Sequence, residues 1–142
     1  RGALGALTLS AHSFLDGVAI GVGFQASAAI GLVVTAAVLA HDFSDGINTV
    51  NLVLRNGGDH ARAMRWLATD AIAPVVGVVS TLLVRIPDSV IGLVLAVFVG
   101  TFLYLSASDL IPESHHRHPR ALTTLMTLLG ALVLYLVVSI AG

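Results

Sequence analysis

Five apolar stretches, each close to twenty residues long, fill most of this chain: Ala3 to Phe24, Ile30 to Leu54, Trp66 to Val84, Val90 to Ile111 and Ala121 to Ile140. A helix crossing the hydrocarbon core of a bilayer needs about 20 predominantly apolar residues, so each stretch has spanning length. The breaks between them, Gln25–Ser27, Asn56–Asp59, Ile86–Asp88 and His115–Pro119, carry turn-forming and polar residues. The expected fold is all-α: a polytopic bundle of five transmembrane helices forming one domain over residues 1–142, with short connections making successive helices antiparallel neighbours. Only 11% of the residues are charged, against about 25% in ordinary soluble domains, which excludes a water-soluble core and a nucleic-acid partner. With no cysteine, any metal bound here must use His and carboxylate ligands.

Orientation follows from arginine. All seven basic residues are Arg; Arg1, Arg55, Arg62, Arg65, Arg117 and Arg120 fall on one side of a five-span arrangement, and Arg85 alone falls on the other. The positive-inside rule makes the first side cytoplasmic, with Gly142 outside, as in a multi-pass protein of the cell (inner) membrane. Because Arg1 leads directly into an apolar run, the chain reads as part of a longer protein with helices upstream.

Ionisable side chains at mid-span cost about 2.5–3.5 kcal/mol each on insertion scales and persist where they face a partner, a cavity or an ion. Here they gather in the first two spans. His12-Ser13-Phe14-Leu15-Asp16-Gly17 and His41-Asp42-Phe43-Ser44-Asp45-Gly46 both read H-x-F-x-D-G. A spacing of four puts His and Asp on one helix face, about 6 Å apart along the axis. In an antiparallel pair the two imidazoles are expected at similar depth, with Asp16 toward the outer half and Asp45 toward the inner half. Such a centre suits a borderline divalent cation, Zn²⁺ first and Fe²⁺, Mn²⁺ or Cd²⁺ as alternatives; a proton relay is the rival use of the same groups. Asp42 adds a carboxylate at this level. Asp70, about a turn inside the third span, is placed either to reach the interface or to complete the site. Gly17 and Gly46 should let helix backbones approach closely, and Asn48, Thr49 and Asn51 form a polar stripe resembling an exit path.

Other features carry less. Pro74 reads as a kink. Ser106, Asp109 and Glu113 share a face at the inner end of the fourth span, as an interfacial helix end or a vestibule lining. His115, His116 and His118 form a short basic tract that either collects metal weakly or is simply solvated.

At these motifs the sequence resembles the ZIP (Zrt-, Irt-like protein) family of divalent-metal transporters. The stretch His12 to Gly17 is similar to that family's fourth-helix H-N-x-P-E-G motif, His41 to Gly46 to its fifth-helix H-x-x-P-E-G motif, and Leu103 to Glu113 to its seventh-helix segment. The resemblance implies helices four to eight of an eight-helix fold, missing N-terminal helices as partners, and a binuclear metal centre on the first two helices here. Leu15 and Ser44 stand where the family has Pro, Asp16 and Asp45 where it has Glu, and Ser13 where it has Asn. Ala73 stands where a bridging Glu often precedes Pro, with Asp70 one turn earlier. The expected function is transport of divalent cations, most of all zinc, toward the cytoplasm, with His12, Asp16, His41, Asp42, Asp45 and Asp70 as metal residues, no enzymatic activity and a homodimer among the expected assemblies. The alternatives are an intramembrane zinc-dependent hydrolase, although no H-E-x-x-H is present, and a noncatalytic structural membrane subunit.

Overall fold

The computed structural model describes residues 2–105 and 121–141, which form five helices and no strand. They are α1 (Gly2–Ala26), α2 (Ala28–Arg55), α3 (His60–Leu82), α4 (Asp88–Leu105) and α5 (Ala121–Ala141). The first three are each long and apolar enough to cross a membrane, and α4 and α5 contribute shorter apolar stretches, Asp88–Tyr104 and Ala121–Val133. An all-helical solution follows from the solvent. In hydrocarbon no water satisfies a backbone N–H or C=O, so each segment must close its hydrogen bonds within itself.

The connections are built locally. Ser27 alone separates α1 from α2 and caps α2, its hydroxyl accepting from the Ile30 N–H at 3.2 Å. Beyond α2, Gly57 adopts φ +80°, and the Gly58 and Gly57 N–H groups donate back to the carbonyls of Val53 and Leu54 at 2.9 and 3.1 Å. That left-handed stop with paired back-bonds satisfies carbonyls the helix end would otherwise leave open. Asp59 then caps α3, accepting from the Arg62 N–H at 2.7 Å. The helix therefore starts six residues before the apolar stretch at Trp66. A helix end outside the hydrocarbon needs a cap rather than apolarity, and hydropathy does not register it.

α1, α2 and α3 make the core of the bundle, with α1 antiparallel to α2 and parallel to α3. The α1–α3 contact is built on small residues. A methyl group added at Gly17 would run into the Pro74 carbonyl oxygen, and one at Gly77 into the Phe14 carbonyl oxygen. α3 continues through Pro74, and α1 and α2 run unbroken through Leu15 and Ser44. The expectation that every successive pair would be neighbours does not hold among the described residues: α4 packs on α1, and α5 on α2. One cause is visible at Gln25. Its amide nitrogen donates to the carbonyls of Thr81 and Val84 at 2.8 and 2.9 Å, and its oxygen accepts from the Ile86 N–H at 2.9 Å. The connection after α3 is thereby fastened to the end of α1, and α4 returns along α1.

The packing is inverted relative to a water-soluble core. Buried positions hold small or polar residues, among them Ala6, Ser13, Asp16, Ala19, Val22, Thr49, Val53, Ala63 and Asp70, whereas Leu4, Leu32, Leu39, Phe43, Leu82, Leu93 and Leu128 face outward. Lipid tails are as apolar as leucine, so close packing and hydrogen bonds hold such helices together, not expulsion of apolar surface from water.

Candidate metal centre

Antiparallel packing of α1 on α2 lays one turn of each motif beside the other. His12 and Asp16 come from α1, His41 and Asp45 from α2, and one ligand atom from each lies within 4.8 Å of all the others. The Nε2 atom of His12 is 3.6 Å from Asp16 Oδ2 and 3.8 Å from Asp45 Oδ2; that of His41 is 3.5 and 3.8 Å from the same two oxygens. The two aspartates, expected toward opposite halves of the path, both face the same two imidazole nitrogens. Two turns running in opposite directions overlap, and each carboxylate reaches both imidazoles.

These separations are too long for hydrogen bonds and close to what a shared ion requires. Zn–N and Zn–O bonds of 2.0–2.2 Å in a tetrahedron hold ligand atoms about 3.3–3.5 Å apart, so the four His–Asp contacts need to close by a few tenths of an ångström, and the His–His and Asp–Asp separations, within 4.8 Å, by up to about an ångström more. Asp16 is 1% exposed, and neither of its oxygens has a hydrogen-bond partner. A buried carboxylate with no hydrogen bond, faced only by two imidazoles, is costly, and a cation at this position would reduce the cost. The donor set, two imidazoles and two carboxylates, is that of borderline divalent metals. His41 is prepared for the role. Its Nδ1 lies 2.9 Å from the Ala37 carbonyl, which can only accept, so Nδ1 is the donor there and Nε2 is the nitrogen turned to the centre, where the neutral imidazole could bind a metal. His12 is steadied differently, by a T-shaped contact with the Phe102 ring on α4 at 5.5 Å between centroids.

Asp42 and Asp70 are not part of this group. Asp42 lines a cavity of about 570 Å³ between α2 and α3, together with Gly46, Asn51, Leu67 and Asp70. Asp70 is buried, accepting from the Ser13 hydroxyl at 2.9 Å on one oxygen and from the Thr49 hydroxyl at 3.1 Å on the other. Thr49 accordingly faces α3, while Asn48 is exposed and Asn51 lines the cavity, so the polar stripe on α2 serves more than one purpose. Gly17 makes the close backbone approach expected of it, although toward α3 and not α2; a side chain at Gly46 would meet only Leu67 Cδ1, at 3.1 Å. Ser106, Asp109, Glu113, His115, His116 and His118 lie outside the described residues. Sequence reasoning did not find the Gln25 clamp or the Ser13–Asp70–Thr49 link. The available signal was the same for both, a polar side chain inside or at the end of an apolar span, but it names no partner.

Fold and centre together define a helical membrane protein in which two His and two Asp from adjacent helices come together as a group that could hold a metal ion. The chain belongs to the ZIP zinc transporter family, whose family description it matches over residues 1–138. It is similar to the zinc transporter SLC39A7 of Mus musculus, 30% identical over 86% of this chain and 27% of that protein. The zinc transporter zipt-7.1 of Caenorhabditis briggsae is 28% identical over 72% of this chain and 27% of that protein. The zinc transporter ZIP4 of Mus musculus is 30% identical over 71% of the chain and 15% of that protein. The chain therefore spans about a quarter or less of the length of these relatives. No solved structure matches it.

Proposed function

We propose that this chain supplies the ion-binding helices of a transporter that moves divalent metal cations, zinc foremost, across the cell (inner) membrane toward the cytoplasm. The observation that carries the reading is the meeting of His12, Asp16, His41 and Asp45 within 4.8 Å, in a chain of the ZIP zinc transporter family. A cation entering the centre exchanges water for two imidazole nitrogens and two carboxylate oxygens, which relieves the buried charge of Asp16. It then leaves toward the cavity lined by Asp42 and Asn51. The lining of that cavity runs along α2 from Leu39 to Asn51, one turn short of Arg55, at the end that the positive-inside rule assigns to the cytoplasm. Relative movement of the helices alternates access between the two sides. Family membership favours transport over the hydrolase and the noncatalytic subunit.

The test is zinc uptake into vesicles reconstituted with the protein carrying this chain, read by an internal zinc-sensitive dye. Uptake should require a zinc gradient and should be lost in the His12→Ala, His41→Ala double variant. Wild-type uptake by that variant, folded and inserted, would remove the centre from the path. Orientation is checked separately: Gly57→Cys should react with impermeant reagents from the cytoplasmic side only, and Asp88→Cys from the outside only.

A further inference from the structure

The resemblance implies room for two ions, and Asp70 is the residue on α3 placed to serve a second one. Its carboxylate is already engaged from both neighbouring helices. Ser13, whose hydroxyl lies 2.9 Å from Oδ1 and farther, at 3.2 Å, from the Leu9 carbonyl of its own helix, is the residue after His12 on α1; Thr49, which donates to Oδ2, lies one turn beyond Asp45 on α2. All three side chains are buried, Ser13 and Thr49 fully so, and Asp70 is 3% exposed. A hydroxyl that spends its proton on a carboxylate, beside a centre that already has four stronger ligands, is a poor recruit for a metal. Ala73, a turn from Asp70 on α3, offers no donor at all.

We propose that Asp70 is a positioning residue and not a ligand. With Ser13 and Thr49 it forms a buried bridge across α1, α2 and α3 that fills the second ion position and holds His12 against Asp45, so that the centre takes one divalent cation. The inference rests on the proposed reading of the His/Asp group as a metal centre. The bridge does for this chain what a second ion would otherwise do: it draws three helices together around a negative centre. It does so without waiting for cargo, and the register of the four ligands exists before the ion arrives.

The experiment is zinc binding to the purified protein carrying this chain in nanodiscs, with stoichiometry counted as the zinc ions lost in the His12→Ala, His41→Ala double variant. One ion per chain is expected. Asp70→Ala should keep that stoichiometry and weaken affinity by about 10–100-fold, the range for removing a group that orients metal ligands. Asp70→Asn can still take part in hydrogen bonds with both hydroxyls and should recover affinity to within about tenfold of wild type. The Ser13→Ala and Asp70→Asn effects on zinc-free thermal melting should be non-additive, since the bridge exists without metal; this readout stands if Asp70→Ala does not fold. Two ions per chain, with one lost in Asp70→Asn, would overturn the inference and leave the metal centre intact. Additive melting effects would likewise overturn the bridge. No zinc bound by wild type would instead sink the underlying reading of the centre.

Discussion

The two H-x-F-x-D-G motifs are nearly the same word in two different surroundings. On α1, Asp16 is 1% exposed, Phe14 is half-buried and Gly17 is pressed on the backbone of α3 at Pro74. On α2, Asp45 is 17% exposed, Phe43 is 79% exposed, and Gly46 meets only one methyl group of Leu67. The difference comes from α3, which runs parallel to α1 and covers its motif, whereas it reaches α2 mainly below the motif, at Thr49 and Val53. A motif therefore specifies ligands, and a third helix decides how expensive each is to keep. The α1 copy is fixed within the bundle and the α2 copy is the more accessible wall of the centre.

The sharpest way to break this comparison is to remove each aspartate in turn. Asp16→Ala takes away the carboxylate that both imidazoles approach most closely, and should weaken zinc binding by more than the roughly 10–100-fold that follows loss of a group that only orients metal ligands. Asp45→Ala should cost less, because water can reach its place. If the two share an ion, the double variant should lose less than the sum, with a coupling of about 0.5–3 kcal/mol. Burial predicts a contrast in the empty protein too: Asp16→Ala removes a buried carboxylate that faces both imidazoles and should shift zinc-free melting, whereas Asp45→Ala, at a more exposed position, should change it little. Equal losses, additive losses, or equal shifts in zinc-free melting for the two variants would each contradict the asymmetry.

The glycines give the next largest contrast. Gly17→Ala places a methyl group on the Pro74 carbonyl, and since backbone faces backbone neither side can yield by a rotamer change. A loss of about 1–3 kcal/mol or more is expected in thermal or denaturant unfolding. Gly46→Ala needs only a shift of Leu67 and should stay within about 0.5 kcal/mol of wild type. Comparable losses would mean that α3 does not discriminate between the two motifs.

Much of this architecture was legible in the sequence because lipid imposes strong rules. The apolar stretches, the punctuating loops and the pairing of His12 and Asp16 with His41 and Asp45 all follow from span length, helical periodicity and the cost of mid-span charge. What was hidden depends on partners distant in sequence. Asp70 finds Ser13 fifty-seven residues away and Thr49 twenty-one away; Gln25 finds Ile86 sixty-one residues away. Periodicity states that such a side chain turns inward and not what it meets. The early start of α3 at His60 was hidden for another reason, since its signal is the capping Asp59 in a stretch hydropathy reads as loop.

The smallest effect expected concerns the histidines. His41 is oriented by its own helix, through Nδ1 to the Ala37 carbonyl, a contact any continuous α2 supplies. His12 leans on α4, through a T-shaped contact with Phe102, whose ring is stacked in turn with Phe98 at 6.3 Å. Aromatic contacts of this geometry contribute about 0.5–1.5 kcal/mol, so Phe102→Leu, which keeps apolar bulk and loses the ring contact, should weaken zinc binding by that amount. The effect should pass through His12 alone. In a His12→Ala background Phe102→Leu should have no further effect on affinity, whereas in a His41→Ala background its full effect should remain. Measuring zinc affinity across both cycles separates the two supports: if Phe102→Leu acts equally in both backgrounds, α4 stabilises the bundle as a whole and the two imidazoles are not held in different ways.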